Sequence, residues 1–375
     1  MTKTKSARLQ DHFAELTDPR RREVTYPLIN IVVIAVCAVV CGADDFVAIA
    51  EFGRKKRRWL ARFLDLRNGI PSHDRFNAIL AAIKPVEFEK CLLSWITALQ
   101  DITDGQVIAI DGKTLRRSFD ATSSKSAIHM VSAWATANQI SLGQVVVDEK
   151  SNEITAIPKL LEMLDISGCL VTIDAMGCQT EIARQIVAGG ADYVLPVKGN
   201  QPTLRQGIEK FFEDSLEDDF AHTKVRQYQT EEKGHGREEE RYYSICPVPD
   251  DLPDRSRWAK LKAIGIAIST TQRNGKECNE VRYYILSKYL SARRFAKAVR
   301  DHWGIENHLH WQLDVTFHED QCRVRKGHAD ANFSSLRRTA LSLLKNESSL
   351  KVGIKNKRLT AGWDEAYLEK VLIGE

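Results

Sequence analysis

Two short stretches constrain this chain more than anything else in it. Val107-Ile108-Ala109-Ile110 runs into Asp111-Gly112-Lys113, and Leu170-Val171-Thr172-Ile173 runs into Asp174-Ala175-Met176-Gly177. A short apolar run bounded by turn signals reads as a strand buried on both faces. An acid where such a strand stops sits at the mouth of a sheet. Laid side by side and parallel, the two strands bring Asp111 and Asp174 to one carboxyl edge, where open α/β sheets place their ligands. Two carboxylates held that close favour a divalent cation. A hard ion such as Mg²⁺ takes oxygen ligands and keeps several waters, which leaves room for phosphate oxygens.

The order of elements around these strands points to a fold. Strands are expected at 107–111, 128–137 and 140–148, the last two joined by a hairpin turn at Asn138-Gln139. A helix at 154–164 with Ile157, Leu160, Leu161 and Leu164 on one side then leads to the second acidic strand. The helix Thr180–Ala188, a Gly189-Gly190 stop and the strand Tyr193–Val197 follow. Three strands running antiparallel and then βαβ units extending the sheet in parallel are the layout of a ribonuclease-H-like α/β fold. In that order the two acids fall on neighbouring strands.

The 375 residues are too many for one ordinary core. Four segments are expected: a helical region at 1–103, the first part of the α/β core at 104–220, a β-rich insertion at 221–290, and completion of the core at 291–375. The insertion is rich in Tyr, Arg and Glu, with strand-like runs at 261–271 and 280–286 separated by Gly234-His235-Gly236, 247–253 and Asn274-Gly275. In the first region, Asp18-Pro19 breaks a short amphipathic piece, and a buried helix begins near Tyr26 or Pro27. A third helix starts near Asp45 and ends in five consecutive cations, Arg54, Lys55, Lys56, Arg57 and Arg58, followed by Trp59. Asn68-Gly69-Ile70-Pro71 then leads to Ser72, an expected N-cap for a helix burying Phe76, Ile79, Leu80 and Ile83. Helix, glycine-containing turn and helix beside a basic run fit a helix-turn-helix DNA reader, and fit any helical bundle as well.

The net charge of +4 is mild and does not by itself argue for a nucleic-acid partner. The eight cysteines are scattered with no CxxC pair and no secretory leader before them, as in a cytoplasmic protein with reduced thiols. The most apolar stretch, 28–43, is 16 residues long, short of the roughly 20 that a membrane span needs.

After Ser291, an expected N-cap, helical spacing gives a buried stripe of Phe295, Val299, Trp303, Glu306, Leu309 or His310, and Leu313. A glutamate in the middle of an apolar face needs a partner, because burying an unpaired carboxylate costs several kcal/mol. The partner is either the cation implied by the two aspartates or an arginine such as Arg300. His302, His308, His310 and His318 match no common zinc spacing. Asp111-Gly112-Lys113 also faintly resembles the aspartyl-phosphate hydrolases, a metal-dependent phosphohydrolase reading, but those need a second Asp where Lys113 stands.

The ordered series 69–76 (GIPSHDRF), 109–118 (AIDGKTLRRS), 172–179 (TIDAMGCQ), 193–202 (YVLPVKGNQP), 234–241 (GHGREEER), 300–325 (RDHWGIENHLHWQLDVTFHEDQCRVR) and 331–345 (ANFSSLRRTALSLLK) resembles the ISAs1-type insertion-sequence transposases. This is the group of H-repeat-associated proteins within the wider DDE transposases, and the likeness covers essentially the whole chain. It implies an acidic triad at Asp111, Asp174 and Glu306 and a β-rich insertion before the Glu helix. It implies binding of double-stranded DNA, at element ends and target, by a homodimer or higher oligomer in the cytoplasm. It also implies metal-dependent strand cleavage and strand transfer with two Mg²⁺ ions, Mn²⁺ being a possible substitute. Asp111 would bridge both ions, with Asp174 on one and Glu306 on the other.

For DNA contacts the candidates are the 54–58 run, Lys113, Lys198, Asn200, Gln201 and Arg300. The family pattern often has a base one to two turns after the Glu, but here the seventh residue on is Leu313. Arg323, Arg325 or Lys326 would take that role. The rival of another class is a catalytically silent DNA-binding relic, against which all three acids stand.

Overall fold

The computed structural model describes residues 8–21, 24–99, 106–119, 126–147, 152–234, 237–273 and 276–374. It divides into two compact units: Met1–Thr103 with Gly112–Lys150 and Glu306–Glu375, and Asp104–Asp111 with Ser151–Ile305. The segments expected at 1–103 and 221–290 are therefore not bodies of their own. The expected boundary at 103/104 and the turn residues at 235–236 and 274–275 lie outside the described residues.

The first unit opens with α1 (Leu9–His12), α2 (Leu28–Val40), α3 (Phe46–Lys55), α4 (Arg57–Leu60), α5 (His73–Ala82) and α6 (Pro85–Leu99). Helix α2 has no polar face: every residue from Asn30 to Val40 is buried. That is the pattern of a helix at the centre of a core, and each fully buried aliphatic side chain there contributes roughly 1.5–3 kcal/mol. Both helices are capped, α5 by the expected Ser72 and α3 by Asp45 at the expected helix start. The Asp45 carboxylate accepts from the Ala48 N–H at 2.8 Å and the Ser72 hydroxyl from the Arg75 N–H at 3.3 Å.

The partner of these helices comes from the far end of the chain, which holds α11 (Trp311–Thr316), α12 (Ala329–Asn346), α13 (Ile354–Trp363) and α14 (Glu365–Ile373). Helix α12 packs on α2, α5 and α6, and Phe333 meets Phe46 edge to face at 5.4 Å. Its polar residues close helix ends, because the last carbonyls of a helix have no partner within it. Asn332 Nδ2 donates to the carbonyls of Leu80 and Ile83 at 2.7 and 2.9 Å. Arg358, from α13, donates to the Val39 carbonyl at 3.0 Å. Strands β2 (His129–Ala135) and β3 (Ile140–Val147) form the expected hairpin, with Gln139 at φ 55° in its turn. Beside β2 lies the end of β1 (Val107–Thr114), where the Leu115 N–H donates to the Ile128 carbonyl at 2.9 Å.

The second unit takes the start of β1 and adds α7 (Glu153–Glu162), β4 (Leu170–Ile173), α8 (Thr180–Ala188), β5 (Asp192–Val197), α9 (Pro202–Glu217), β6 (Arg226–Gly234), β7 (Arg237–Pro247), β8 (Ala263–Arg273), β9 (Lys276–Leu286) and α10 (Ala292–Ile305). Its strand order is β1-β4-β5-β9-β8-β7-β6, so the sheet is mixed, with helices packed against it. β1, β4 and β5 run parallel, with Ile110 opposite Ile173 and Thr172 opposite Val194. β9 then pairs antiparallel with β5, Val194 opposite Leu286, and carries the long antiparallel ribbons. The β-rich segment is thus continuous with the sheet because the apolar end of β9 adds directly to β5. Helix α10 lies on this sheet through Phe295, which stacks edge-on against Tyr243 and Tyr284. Gly265 makes the room, since a Cβ there would lie 2.6 Å from the Phe295 ring.

The first unit's core holds a buried acid, Glu89, which accepts a hydrogen bond from Ser335. Burial raises its carboxyl from 4.5 to about 7. A raised carboxyl holds its proton better in the folded chain, so its stabilisation is fully present below about pH 4.5 and lost as pH rises through 7. Glu89→Gln should therefore stabilise the protein by roughly 1–3 kcal/mol at pH 8 and by little at pH 5, as read by urea unfolding at both values.

Candidate active site

The parallel register fixes the heart of the site. Because Ile110 sits opposite Ile173, the next residue on each strand is an aspartate, and Asp111 and Asp174 leave neighbouring strands at the same edge. Both are partly buried. Burial raises the Asp174 carboxyl above its ordinary value, and the negative charges of Glu153 and Asp111 push it the same way. The backbone N–H groups of Gly177 and Met176 pull it down. A pair of partly desolvated carboxylates that repel one another is a donor set in want of a hard cation.

The loop after Asp174 is built tightly. Gly177 donates its N–H to Asp174 Oδ1 at 3.0 Å, and a Cβ at Gly177 would fall 2.2 Å from Ile173 Cγ2. Asn200 and Gln201, expected to contact DNA, spend their side-chain amides on the loop after Asp174. Their side-chain amides donate to the carbonyls of Ala175 at 2.8 Å and Cys178 at 3.0 Å. The Ala175 carbonyl also accepts from the Cys178 N–H at 3.2 Å, and the two amides tie this loop to the one after β5. Lys198, just before them, is exposed.

His302 also reaches this edge. Its Nδ1 lies 3.2 Å from Thr172 Oγ1. Burial lowers its pKa, Asp111 opposes that, and Arg282 adds to it. Arg282 in turn stacks over Trp303 at 4.3 Å. This histidine was invisible as a site residue because its only sequence context was a run of histidines with no ligand spacing.

Glu306 is not where helical spacing put it. The turn Glu306–His310 is a π-helix between α10 and α11, and such one-turn insertions concentrate at functional positions. The wider turn resets the stripe to Ile305, Leu309 and Leu313, all fully buried, while Trp303 and Glu306 are exposed. The argument that Glu306 must find a cation because it is buried therefore fails. Arg300, its alternative partner, pairs with Glu232. Among the described residues no group of three or more His, Cys, Asp or Glu is arranged to hold a metal ion. The two aspartates are the part of the expected triad that the structure assembles within one unit.

Two other expected DNA contacts are already engaged. Lys113, far from reaching a phosphate, is only 10% exposed and is held by Asp314 and by Glu319 Oε2, the latter at 3.0 Å. In the 54–58 run, Arg54 pairs with Glu51 and Lys56 with Glu365, which leaves Lys55, Arg57 and Arg58 exposed. Arg323, Arg325 and Lys326 line a groove of about 1080 Å³ in the first unit together with His73 and Asn77 of α5. Arg325 there donates to the Arg117 carbonyl at 3.0 Å.

Gly177→Ala should test the loop. The added methyl must displace Ile173 or the backbone beside Asp174, at a cost of about 1–3 kcal/mol. Urea unfolding should show that loss in the variant, and an unchanged stability would mean that the loop takes the methyl without strain.

Comparison with known proteins adds the family. A family described as "Transposase DDE domain" matches residues 102–343, and one described as "DDE_Tnp_1-associated" matches 10–96. "H repeat-associated putative transposase YhhI" of Escherichia coli (strain K12) is 41% identical over 98% of this chain and 98% of its own. "Putative transposase YncI" of Escherichia coli O157:H7 is 42% identical over 97% of this chain and 94% of its own. Matched along nearly its whole length, and with an aspartate at the end of each of two adjacent parallel strands, this chain belongs to the DDE transposases.

Proposed function

We propose that Asp111, Asp174 and Glu306 are the acidic set with which this transposase cuts and joins DNA. The observation that carries the reading is the side-by-side exit of Asp111 and Asp174 from β1 and β4. Glu306 enters on its place in the matched family segment and on the π-turn that presents it to solvent. A ribonuclease-H-like core is the finer reading of the fold. It is supported by the β3-β2-β1 order in the first unit and the parallel β1-β4-β5 order in the second.

DDE transposases generally use divalent metals. Here Asp111, Asp174 and Glu306 would together hold Mg²⁺. Ions so held supply Lewis-acid activation of water and charge stabilisation on the leaving oxygen. The chain's own part is to aim the carboxylates. The Gly177 N–H orients Asp174, and the Asn200 and Gln201 amides tie its loop to the one after β5. His302, whose charge is disfavoured by burial and by Arg282, adds no positive charge to compete with a cation at Asp111.

DNA would be gripped by cations that reach solvent: Lys55, Arg57 and Arg58, Lys198, and the groove cations Arg323 and Lys326, with half-buried Arg325 beside them. Each phosphate contact releases counterions. Replacing Lys55, Arg57 and Arg58 together by Ala should weaken binding to all duplexes alike and flatten its salt dependence. An unchanged slope in a gel-shift series from 50 to 200 mM salt, on the order of the range over which such contacts tell, would remove them from the interface.

The acidic set is tested by Asp111→Asn. The amide keeps the size of the carboxylate and loses the charge that helps hold the ion, so cleavage and joining should drop by a factor of at least about 10³. Gel-shift affinity for the same DNA should persist or rise slightly, since one repulsive charge is gone. Retained cleavage would exclude Asp111 from the mechanism.

A further inference from the structure

Lys113 stands two residues past Asp111, about 7 Å along an extended strand. Its ammonium points into the first unit. Asp314, eight residues past Glu306 (314 − 306), and Glu319, thirteen past it (319 − 306), take its protons. The Glu319 side chain is 0% exposed and that of Lys113 10%. Glu319 Oε1 accepts from Ser334 Oγ at 2.8 Å, so both carboxylate oxygens are engaged. The turn that presents Glu319 is unusual: His318 adopts left-handed backbone, φ 51°, which a residue with a Cβ rarely takes up unless its surroundings hold it there.

Burying a charged pair such as Lys113 and Glu319 is a costly way to gain stability, since well-packed apolar residues usually do as well. It is a good way to gain position. A buried ion pair with all its hydrogen bonds made has one geometry, and breaking it strands a charge. This knot fastens the exit of β1, Gly112–Thr114, which follows Asp111, to the segment that comes after the π-turn carrying Glu306.

We propose that Lys113 is a positioning residue. Through Asp314 and Glu319 it sets the backbone at the end of β1 in register with the Glu306 segment, and it contacts neither substrate nor metal. The inference rests on the acidic set named above. Burial disfavours the charge of Glu319, yet Lys113, Arg338 and Arg337 outweigh it and hold the carboxyl at about 2. Glu319 therefore keeps its charge at neutral pH.

The test uses the full chain, with Mn²⁺ as probe. Lys113→Met alone should lower the melting temperature, because it leaves two carboxylates without their cation. The neutral triple variant Lys113→Met, Asp314→Asn, Glu319→Gln should regain stability but need about 10–100-fold more Mn²⁺ for half saturation by calorimetry, the usual loss when a residue that orients metal ligands is removed. Lys113→Arg, which keeps the charge and the donors, should bind Mn²⁺ close to the unsubstituted protein. All three should keep the unsubstituted DNA affinity and salt slope. Should the triple variant fail to fold, Asp314→Asn, whose carboxylate is 31% exposed, carries the same Mn²⁺ measurement.

Unsubstituted Mn²⁺ affinity in the neutral variant would overturn the proposal and leave the acidic set standing. A lower DNA affinity with a flatter salt slope would make Lys113 a phosphate ligand and also overturn it. No Mn²⁺ binding in the unsubstituted protein would overturn the acidic set and the clamp together.

Discussion

Everything at the candidate site depends on one pairing, the parallel ladder between β1 and β4. Ladder register has a period of two, so a slip of one residue would send Asp111 and Asp174 to opposite faces. What prevents the slip is the burial of Ile108, Ala109, Ile110, Val171 and Ile173, each 1% exposed or less. The apolar run therefore does two jobs. It drives the strand into the sheet, and it sets which residue is first to emerge from it. Desolvation at that edge then raises Asp174, so the packing that aligns the two acids also makes them costly to leave without a cation.

β1 links the two units, since its start belongs to one and its last residues, from Gly112, to the other. In the first unit the strand's exit is held by charge. Lys113, Glu319, Ser334, Gln144, Ser335 and Glu89 form a chain of buried polar contacts that runs from β1 to α6. A fully satisfied network of this kind rigidifies a core and specifies its geometry more than it adds stability. In the second unit the corresponding support comes from backbone. The carbonyls of Ala175 and Cys178 are tied to Asn200 and Gln201 on the next loop.

Much of this was legible from residues alone. The Ile-Asp steps gave both strands, the Asn138-Gln139 turn gave the β2–β3 hairpin, and Ser72 and Ser291 were readable as caps, with Ser291 Oγ accepting from the Arg294 N–H at 3.3 Å. What stayed hidden was decided by long-range contact. A charge run reads as free cations, yet Arg54 and Lys56 find acids at Glu51 and Glu365. Polar side chains beside a strand end read as ligand contacts, yet Asn200 and Gln201 satisfy loop carbonyls. Counting 3.6 residues per turn through Glu306 fails because one turn is a π-turn, and no local signal in Glu306–His310 announces it. That miscount put Glu306 inside, and with its exposure the family match becomes the ground for its role.

The β-rich ribbons illustrate the same limit. Their turn signals gave a separate insertion, whereas pairing of Val194 with Leu286 makes them an extension of the sheet that carries Asp174. Edge-to-edge addition leaves no compositional trace, because an apolar strand end looks the same whether its neighbour is near or far in sequence.

The central claim is that Asp111 and Asp174 share a divalent cation. Anomalous diffraction at the manganese edge, from crystals of the protein grown with Mn²⁺, tests it most directly. The account predicts a manganese peak within oxygen-ligand distance of both carboxylates, about 2.0–2.6 Å, and its loss in crystals of Asp111→Asn. A well-occupied manganese elsewhere in the protein, with none between these two side chains, would contradict it.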